Sequence, residues 1–383
     1  MKISKRIFVF FLLSIFALLI TWIHAYDVFY NNATSTMFGG DAVTYLELKY
    51  KSSNLEDTIK NILEVGPGSV FGLYGITLLS LLVNNIFKSW ALYGSILINL
   101  SFVFISFFIL EKSYSFQLNR YKKNFLFLTY IFPAIFIYIV GPNKEIFTFL
   151  ASSILVRLAS IASSTNKKSS HYKYELFVYF ALLFLMTLIR EIYLGIAILV
   201  IPLFIYKSNY IRYLILYIST IIFYFIKPSF YYGASLMMQQ KSSIILMQLE
   251  KYFDSPFTFI MQILGRYIVT ISGVLYPARL SMIMDGHAFQ IIRLFFFILI
   301  ATMFFLCFKF NNMKLMKVEF SGLTKNLIYC LFMVSVLFCL SSYNSDRKII
   351  PTYPIVLATI SSLINDRNKA KTKIIENFKI TNI

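Results

Sequence analysis

Four short constellations in this chain join residue types that can do chemistry. Gly39-Gly40-Asp41-Ala42-Val43-Thr44-Tyr45 sets a carboxylate just after a glycine pair. A carboxylate held this way can deprotonate a hydroxyl as a general base; alternatively, Asp41 is a helix N-cap that satisfies free amides. Gly141-Pro142-Asn143-Lys144-Glu145 is a tight turn. Pro and Asn explain the turn but not the adjacent Lys144 and Glu145, so Lys144 is a candidate anion contact and a solvated turn the alternative. Arg190-Glu191 is an isolated charged pair between two apolar runs. An arginine fork binds two phosphate oxygens at once; a self-paired structural couple is the other reading. Asp346-Arg347-Lys348 precedes Ile349-Ile350-Pro351-Thr352-Tyr353-Pro354, and Arg266, Arg279 and Arg293 add further cations. Each cation alone reads as an interfacial anchor. Lys144, Arg190 and Arg347 together suit a diphosphate.

The elements that must position these groups follow from composition. The chain has 383 residues, 58% hydrophobic and 14% charged, and its mean hydropathy is +0.71. Soluble domains carry about 25% charged residues. This excludes a disordered chain, a disulfide scaffold and a water-soluble globule, and points to an all-α polytopic integral membrane protein. Ionisable groups among such runs are costly and mark function by default.

The formal charge of +19 arises from 36 Lys and Arg against 17 Asp and Glu. Most of the basic residues fall in short segments between apolar runs, as the positive-inside bias requires, and nucleic acid is not an expected partner. The three cysteines, Cys307, Cys330 and Cys339, sit within apolar runs and read as small hydrophobes. His24, His171 and His287 match no metal spacing. Neither a metal nor another cofactor is implied.

Lys2, Lys5 and Arg6 precede the 19-residue run Ile7–Ala25, close to the length of about 20 that spans a bilayer. It reads as a retained first helix starting in the cytoplasm. Tyr26–Gly66 is polar and acidic and reads as a first periplasmic loop, with a surface helix over Ala42–Leu63. Further apolar runs include Trp90–Leu110, Asn124–Val140, Ile146–Ala162, Leu176–Ile189, Ile192–Tyr206, Tyr210–Ile226, Ile291–Phe308, Leu327–Ser341 and Ile349–Ile364. Residues 227–257 read as a second periplasmic loop and 365–383 as a basic cytoplasmic tail. Parity between the acidic and basic loops leaves Pro67–Asn84 as a re-entrant or interfacial candidate, so the expected count is about 10–12 spans in one membrane domain. On this topology Asp41, Lys144, Arg190 and Arg347 share the outer side.

The acidic residue in the first outer loop, the short charged turn and the closing Arg347…Pro351…Tyr353-Pro354 span resemble the GT-C superfamily of polytopic glycosyltransferases. Phe132-Pro133 through Gly141-Pro142-Asn143-Lys144-Glu145, followed by Arg190, is similar to polymerases of the Wzy type. The likeness covers most of the chain in layout, and its motifs are short. Asp41 lacks a second adjacent acid, and the second outer loop lacks a repeated Arg motif.

The resemblance implies a bacterial inner-membrane enzyme that polymerises undecaprenyl-diphosphate-linked oligosaccharide repeat units of O-antigen or capsule on the periplasmic face. Asp41 would be the catalytic residue. Lys144, Glu145, Arg190, Arg266, Arg279 and Arg347 would bind substrate. Membrane lipids and a chain-length regulator are the further partners. A GT-C transferase acting on another acceptor, a lipid-linked glycan flippase and a non-catalytic membrane subunit are the rival expectations.

Overall fold

The computed structural model describes residues 91–115, 122–132, 145–164, 170–187, 192–226, 288–312, 320–341 and 349–381, with Leu12, Ile15, Leu19, Ile135, Ile139 and Ile189 as single positions. Among the described residues all regular structure is helical. The helices are α1 (Ala91–Ser115), α2 (Lys122–Ile131), α3 (Glu145–Ser163), α4 (Ser170–Met186) and α5 (Ile192–Val200). They continue as α6 (Pro202–Ile205), α7 (Asn209–Ile226), α8 (Ala288–Asn312) and α9 (Gly322–Ser341), and a 3-10 turn, Ile350–Thr352, leads into α10 (Tyr353–Thr381).

The centre of the bundle is α3. It packs against α1, α4, α9 and α10, and its residues from Glu145 to Ala162 are buried. The sequence explains the position. Apolar residues occur all round the helix, which favours burial on every side, and Ala151, Ser152, Ser153, Ala159, Ser160 and Ala162 let neighbouring backbones approach closely. The buried hydroxyls of Ser152 and Ser153 donate back to the carbonyls of Thr148 (2.7 Å) and Phe149 (2.9 Å), so neither is left unsatisfied.

Prolines decide where the helices break. The apolar run Asn124–Val140 is not one helix, because α2 ends at Ile131, just ahead of Phe132-Pro133. Pro133 has no N–H for the carbonyl four residues back, that of Thr129. The Tyr353 hydroxyl donates to that carbonyl instead, at 2.9 Å. The run Ile192–Tyr206 is likewise divided at Ile201-Pro202. There the Tyr329 hydroxyl from α9 donates to the Leu199 carbonyl at 2.7 Å. The carbonyl that Pro202 cannot serve, that of Ile198, accepts instead from the Ile201 N–H at 3.2 Å.

Outer helices follow the opposite rule to α3. On α8, Ile292, Phe296, Met303 and Leu306 face inward, while Leu294, Phe295, Ile298, Phe304, Phe305 and Phe308 are exposed. Phe104 and Phe108 of α1, Phe177 and Phe184 of α4, and Ile218 and Ile222 of α7 are exposed too. Among the described residues two segments, Leu97–Tyr114 and Glu145–Ser163, are long and apolar enough to cross a membrane. Ile192–Ile205, Leu294–Phe308 and Gly322–Phe338 are shorter apolar stretches.

Candidate functional site

Of the seven residues singled out as a site, Glu145 is the one that the structure describes. Asp41, Lys144, Arg190, Arg266, Arg279 and Arg347 lie outside the described residues, as do both expected outer loops, 26–66 and 227–257. Arg293 falls within the backbone of α8.

Glu145 opens α3 and is 3% exposed. An acid in the first turn is favoured there by the unpaired N–H groups and the positive end of the helix dipole. One turn on, the hydroxyls of Thr148 and Tyr193 are hydrogen-bonded at 2.9 Å, both fully buried. Tyr193 is the second residue of α5, so this bond joins the first turns of α3 and α5. Glu145 directly follows Lys144 in the chain, and Ile192 directly follows Arg190-Glu191. The structure therefore brings together the starts of the two helices that these charged pairs lead into. Nearby, the Asn99 side chain of α1 donates to the Ile139 carbonyl at 3.0 Å.

A second polar tier lies near Arg157, twelve residues further along α3, or about 18 Å at 1.5 Å per residue. Arg157 Nη2 donates to Glu175 Oε2 at 2.6 Å, and Nη1 donates to the Lys112 carbonyl at 3.3 Å. Lys112 also forms an ion pair with Glu175. Glu175 precedes the apolar run Leu176–Ile189. Burial pushes its carboxyl up, but hydrogen bonds and charge from Lys112 and Arg157 outweigh this and hold it below its ordinary value.

Two more knots complete the tier. Arg212 Nε and Nη2 donate to the carbonyls of Tyr206 (2.7 Å) and Leu203 (3.2 Å), which end α6, while Nη1 donates to Asn326 Oδ1 at 2.8 Å. Asn326 passes the link on to the Ala159 carbonyl at 3.2 Å. Ser321 caps α9, its Oγ accepting from the Thr324 N–H at 3.3 Å. Asp366 of α10 accepts from the Ser321 N–H (2.9 Å) and the Thr324 hydroxyl (2.7 Å).

Sequence reasoning passed over Arg157, Glu175, Thr148 and Tyr193. The available signal for the first was a lone cation inside the run Ile146–Ala162. Thr148 and Tyr193 are ordinary residues of apolar runs, and no sequence signal marks them as partners. Tyr353, quoted above within a motif, turns out to be a packing residue. Its ring stacks on Phe132 (centroids 4.1 Å) and on Phe149 (5.4 Å).

Cys330 is buried and Cys307 half-buried, both as free thiols, while the Cys339 side chain is outside the described residues. Among the described residues no group of three or more His, Cys, Asp or Glu is placed to hold a metal ion. Protein-family models, curated proteins and solved structures contain no match to this chain.

Proposed function

We propose that the chain is a multi-pass protein of the bacterial inner membrane that polymerises undecaprenyl-diphosphate-linked oligosaccharide repeat units of O-antigen or capsule on the periplasmic face. The observation that carries the membrane part is the polarity of the bundle. Its innermost helix holds Glu145, Thr148, Ser152, Ser153 and Arg157 inside, whereas large apolar side chains such as Phe177, Phe304 and Phe308 cover the outside. A soluble monomer rarely exposes so large an apolar surface, whereas a chain surrounded by lipid has no reason to hide it.

The chemistry is carried by residue types. A sugar hydroxyl of one repeat unit loses its proton to the Asp41 carboxylate as its oxygen attacks the anomeric carbon of a second, lipid-linked glycan. The bond from that carbon to the diphosphate oxygen breaks, and the lipid diphosphate leaves with the electron pair. Lys144, Arg190 and Arg347 hold the charge that develops on it, and Arg266 and Arg279 add to the cationic field. Stabilising developing charge with fixed groups is usually the largest catalytic term. A chain-length regulator would act on the same product.

The test is deletion of the gene in a strain that makes a polymeric surface glycan, followed by a lipopolysaccharide gel. Loss of the polymerase leaves a single repeat unit on the core. Loss of a flippase leaves none, and a transferase acting on another acceptor leaves the ladder length unchanged. An intact long ladder rules out the polymerase.

A further inference from the structure

Two exposed apolar stripes run side by side on the outside of the bundle, each with an exposed lysine at one end. On α4 the stripe is Phe177 and Phe184 below Lys173, at i, i+4 and i+11, so the three share a face. On α5 and α6 it is Leu194, Ile198, Ile201 and Ile205, at i, i+4, i+7 and i+11, and Lys207 stands two residues beyond. Pro202 does not divert the second stripe, because Ile201 keeps right-handed helical angles (φ −55°, ψ −42°). The two helices are neighbours: α4 packs against α5, and the rings of Phe180 and Phe204 meet with centroids 6.2 Å apart. Both turn their other sides to the core. Tyr179 and Leu183 of α4 are buried, as are Ile196 and Leu203, and Gly195 lies against α9, where an added Cβ would come 3.3 Å from Leu337 Cδ2.

The two lysines stand at one height. Glu175, two residues after Lys173, accepts from Arg157 of α3 at 2.6 Å. The Tyr206 carbonyl, one residue before Lys207, accepts from Arg212, which is linked through Asn326 to the Ala159 carbonyl of α3. Residues 157 and 159 are about 3 Å apart along the α3 axis. Neither Lys173 nor Lys207 forms an ion pair among the described residues, in contrast to Lys112.

Below the lysines the surface is hydrocarbon over a defined length. Lys173 to Phe184 and Leu194 to Ile205 each advance eleven residues, about 17 Å at 1.5 Å per residue. That is close to the ~15 Å of hydrocarbon in one leaflet. A free phosphate would use the lysines alone, and an acidic protein would leave the bare apolar stripes unmatched.

We propose that the outer face of α4, α5 and α6 is a binding site for an anionic phospholipid of the leaflet at this end, its phosphate held by Lys173 and Lys207 and its acyl chains lying along the two stripes. The site rests on the membrane half of the function proposed above and is independent of the polymerase chemistry. Each cation beside an anionic headgroup contributes about a fivefold preference, which salt screens.

Photolabelling tests the site. The full-length chain in phosphatidylcholine nanodiscs is irradiated with phosphatidylglycerol or phosphatidylcholine, each carrying the same diazirine in one acyl chain, and the labelled peptides are mapped. The phosphatidylglycerol probe should label 174–185 and 194–206 at least fivefold more than the phosphatidylcholine probe. Unlabelled phosphatidylglycerol should displace it. Both probes should also label the exposed face of α8, which serves as the reference. Lys173→Gln combined with Lys207→Gln should bring the two probes level on α4 to α6, with α8 labelled as in the wild type. Lys173→Arg combined with Lys207→Arg keeps the charges and should keep the preference.

Equal labelling by the two probes in the wild type overturns the anionic site without any variant, and so does a preference that survives the double Gln change. Displacement by soluble glycerol phosphate reduces the site to a phosphate contact and overturns the lipid. Label on α8 but none on α4 to α6 means that protein covers this face; the site falls and the membrane reading stands. No label on any of these helices removes the membrane reading itself.

Discussion

Phe132 and Tyr353 stack with ring centroids 4.1 Å apart, and the hydroxyl of the same tyrosine donates to the Thr129 carbonyl at 2.9 Å. One side chain thus fills the bend after α2 and satisfies the carbonyl that Pro133 cannot serve. Tyr353 is entirely buried. It carries the turn from the 3-10 segment into α10 and anchors that helix to α2.

Tyr353→Phe keeps the stack and removes the hydrogen bond. It should destabilise the protein by about 1–3 kcal/mol, the usual cost of stranding a buried acceptor. Thermal unfolding in detergent reads this as a lower midpoint. If Tyr353→Phe unfolds at the wild-type temperature, the hydroxyl is not needed at the bend.

Glu175 should give the protein an acid-sensitive tier. Its folded-state pKa lies below its unfolded value, so the stability it contributes is fully present above about pH 4.3, the ordinary value for Glu. That contribution is lost as pH falls from there through the folded-state pKa. A midpoint measured against pH should drop in this window for the wild type and drop less for Glu175→Gln. At neutral pH, Glu175→Gln should cost about 3–5 kcal/mol, since it removes the carboxylate shared by Arg157 and Lys112. Parallel pH curves for the two proteins would contradict this account.

Close approach of α5 to α9 depends on Gly195. Gly195→Leu forces extra carbons against Leu337 and should cost about 1–3 kcal/mol by overpacking. Leu337→Ala alone opens a cavity and also destabilises. The pair combined should be more stable than the sum of the two losses. Additive losses would mean that the two residues do not share one space.

Phe304 is 58% exposed on α8, and Phe296, two turns earlier, is fully buried. With Trp22 and Trp90 replaced by Phe, Phe304→Trp gives a single fluorophore on the outer face. In vesicles of brominated lipid its emission should be strongly quenched and blue. Red emission with quenching by aqueous iodide would place this face in water and remove the membrane proposal.

Asp41→Asn removes a general base, an effect of about 10²–10⁴-fold. Together with Arg190→Ala it tests the proposed chemistry. Each variant should abolish the glycan ladder while the protein remains in the membrane at normal amount. A normal ladder from either variant removes that residue from the site.

Much of the helical layout is legible in the sequence because its causes are local. Apolar runs reveal α3, α7, α8 and α9 within a few residues of their ends, whereas Asn124–Val140 and Ile192–Tyr206 read as unbroken runs and the helices divide at Phe132 and Ile201. The long run Ile349–Ile364 shows an apolar start but not that α10 continues to Thr381, because a cationic helix and a cationic coil share one composition. Of the candidate site, the charged pairs were visible as exceptions to an apolar background. The meeting of the first turns of α3 and α5 was not, since nothing local relates residue 148 to residue 193.

By itself the sequence determined that the chain is helical, where lone charges interrupt its apolar runs, and that Pro133 offers no N–H to the Thr129 carbonyl. Only the tertiary structure decided who answers them. That Tyr353 serves Thr129, that Tyr329 serves Leu199, that Arg157 meets Glu175 and that Thr148 meets Tyr193 are choices among many equivalent hydroxyls and charges. A helix forms from contacts three or four residues apart, whereas a buried polar group takes whichever partner the packing of distant helices brings within about 3 Å.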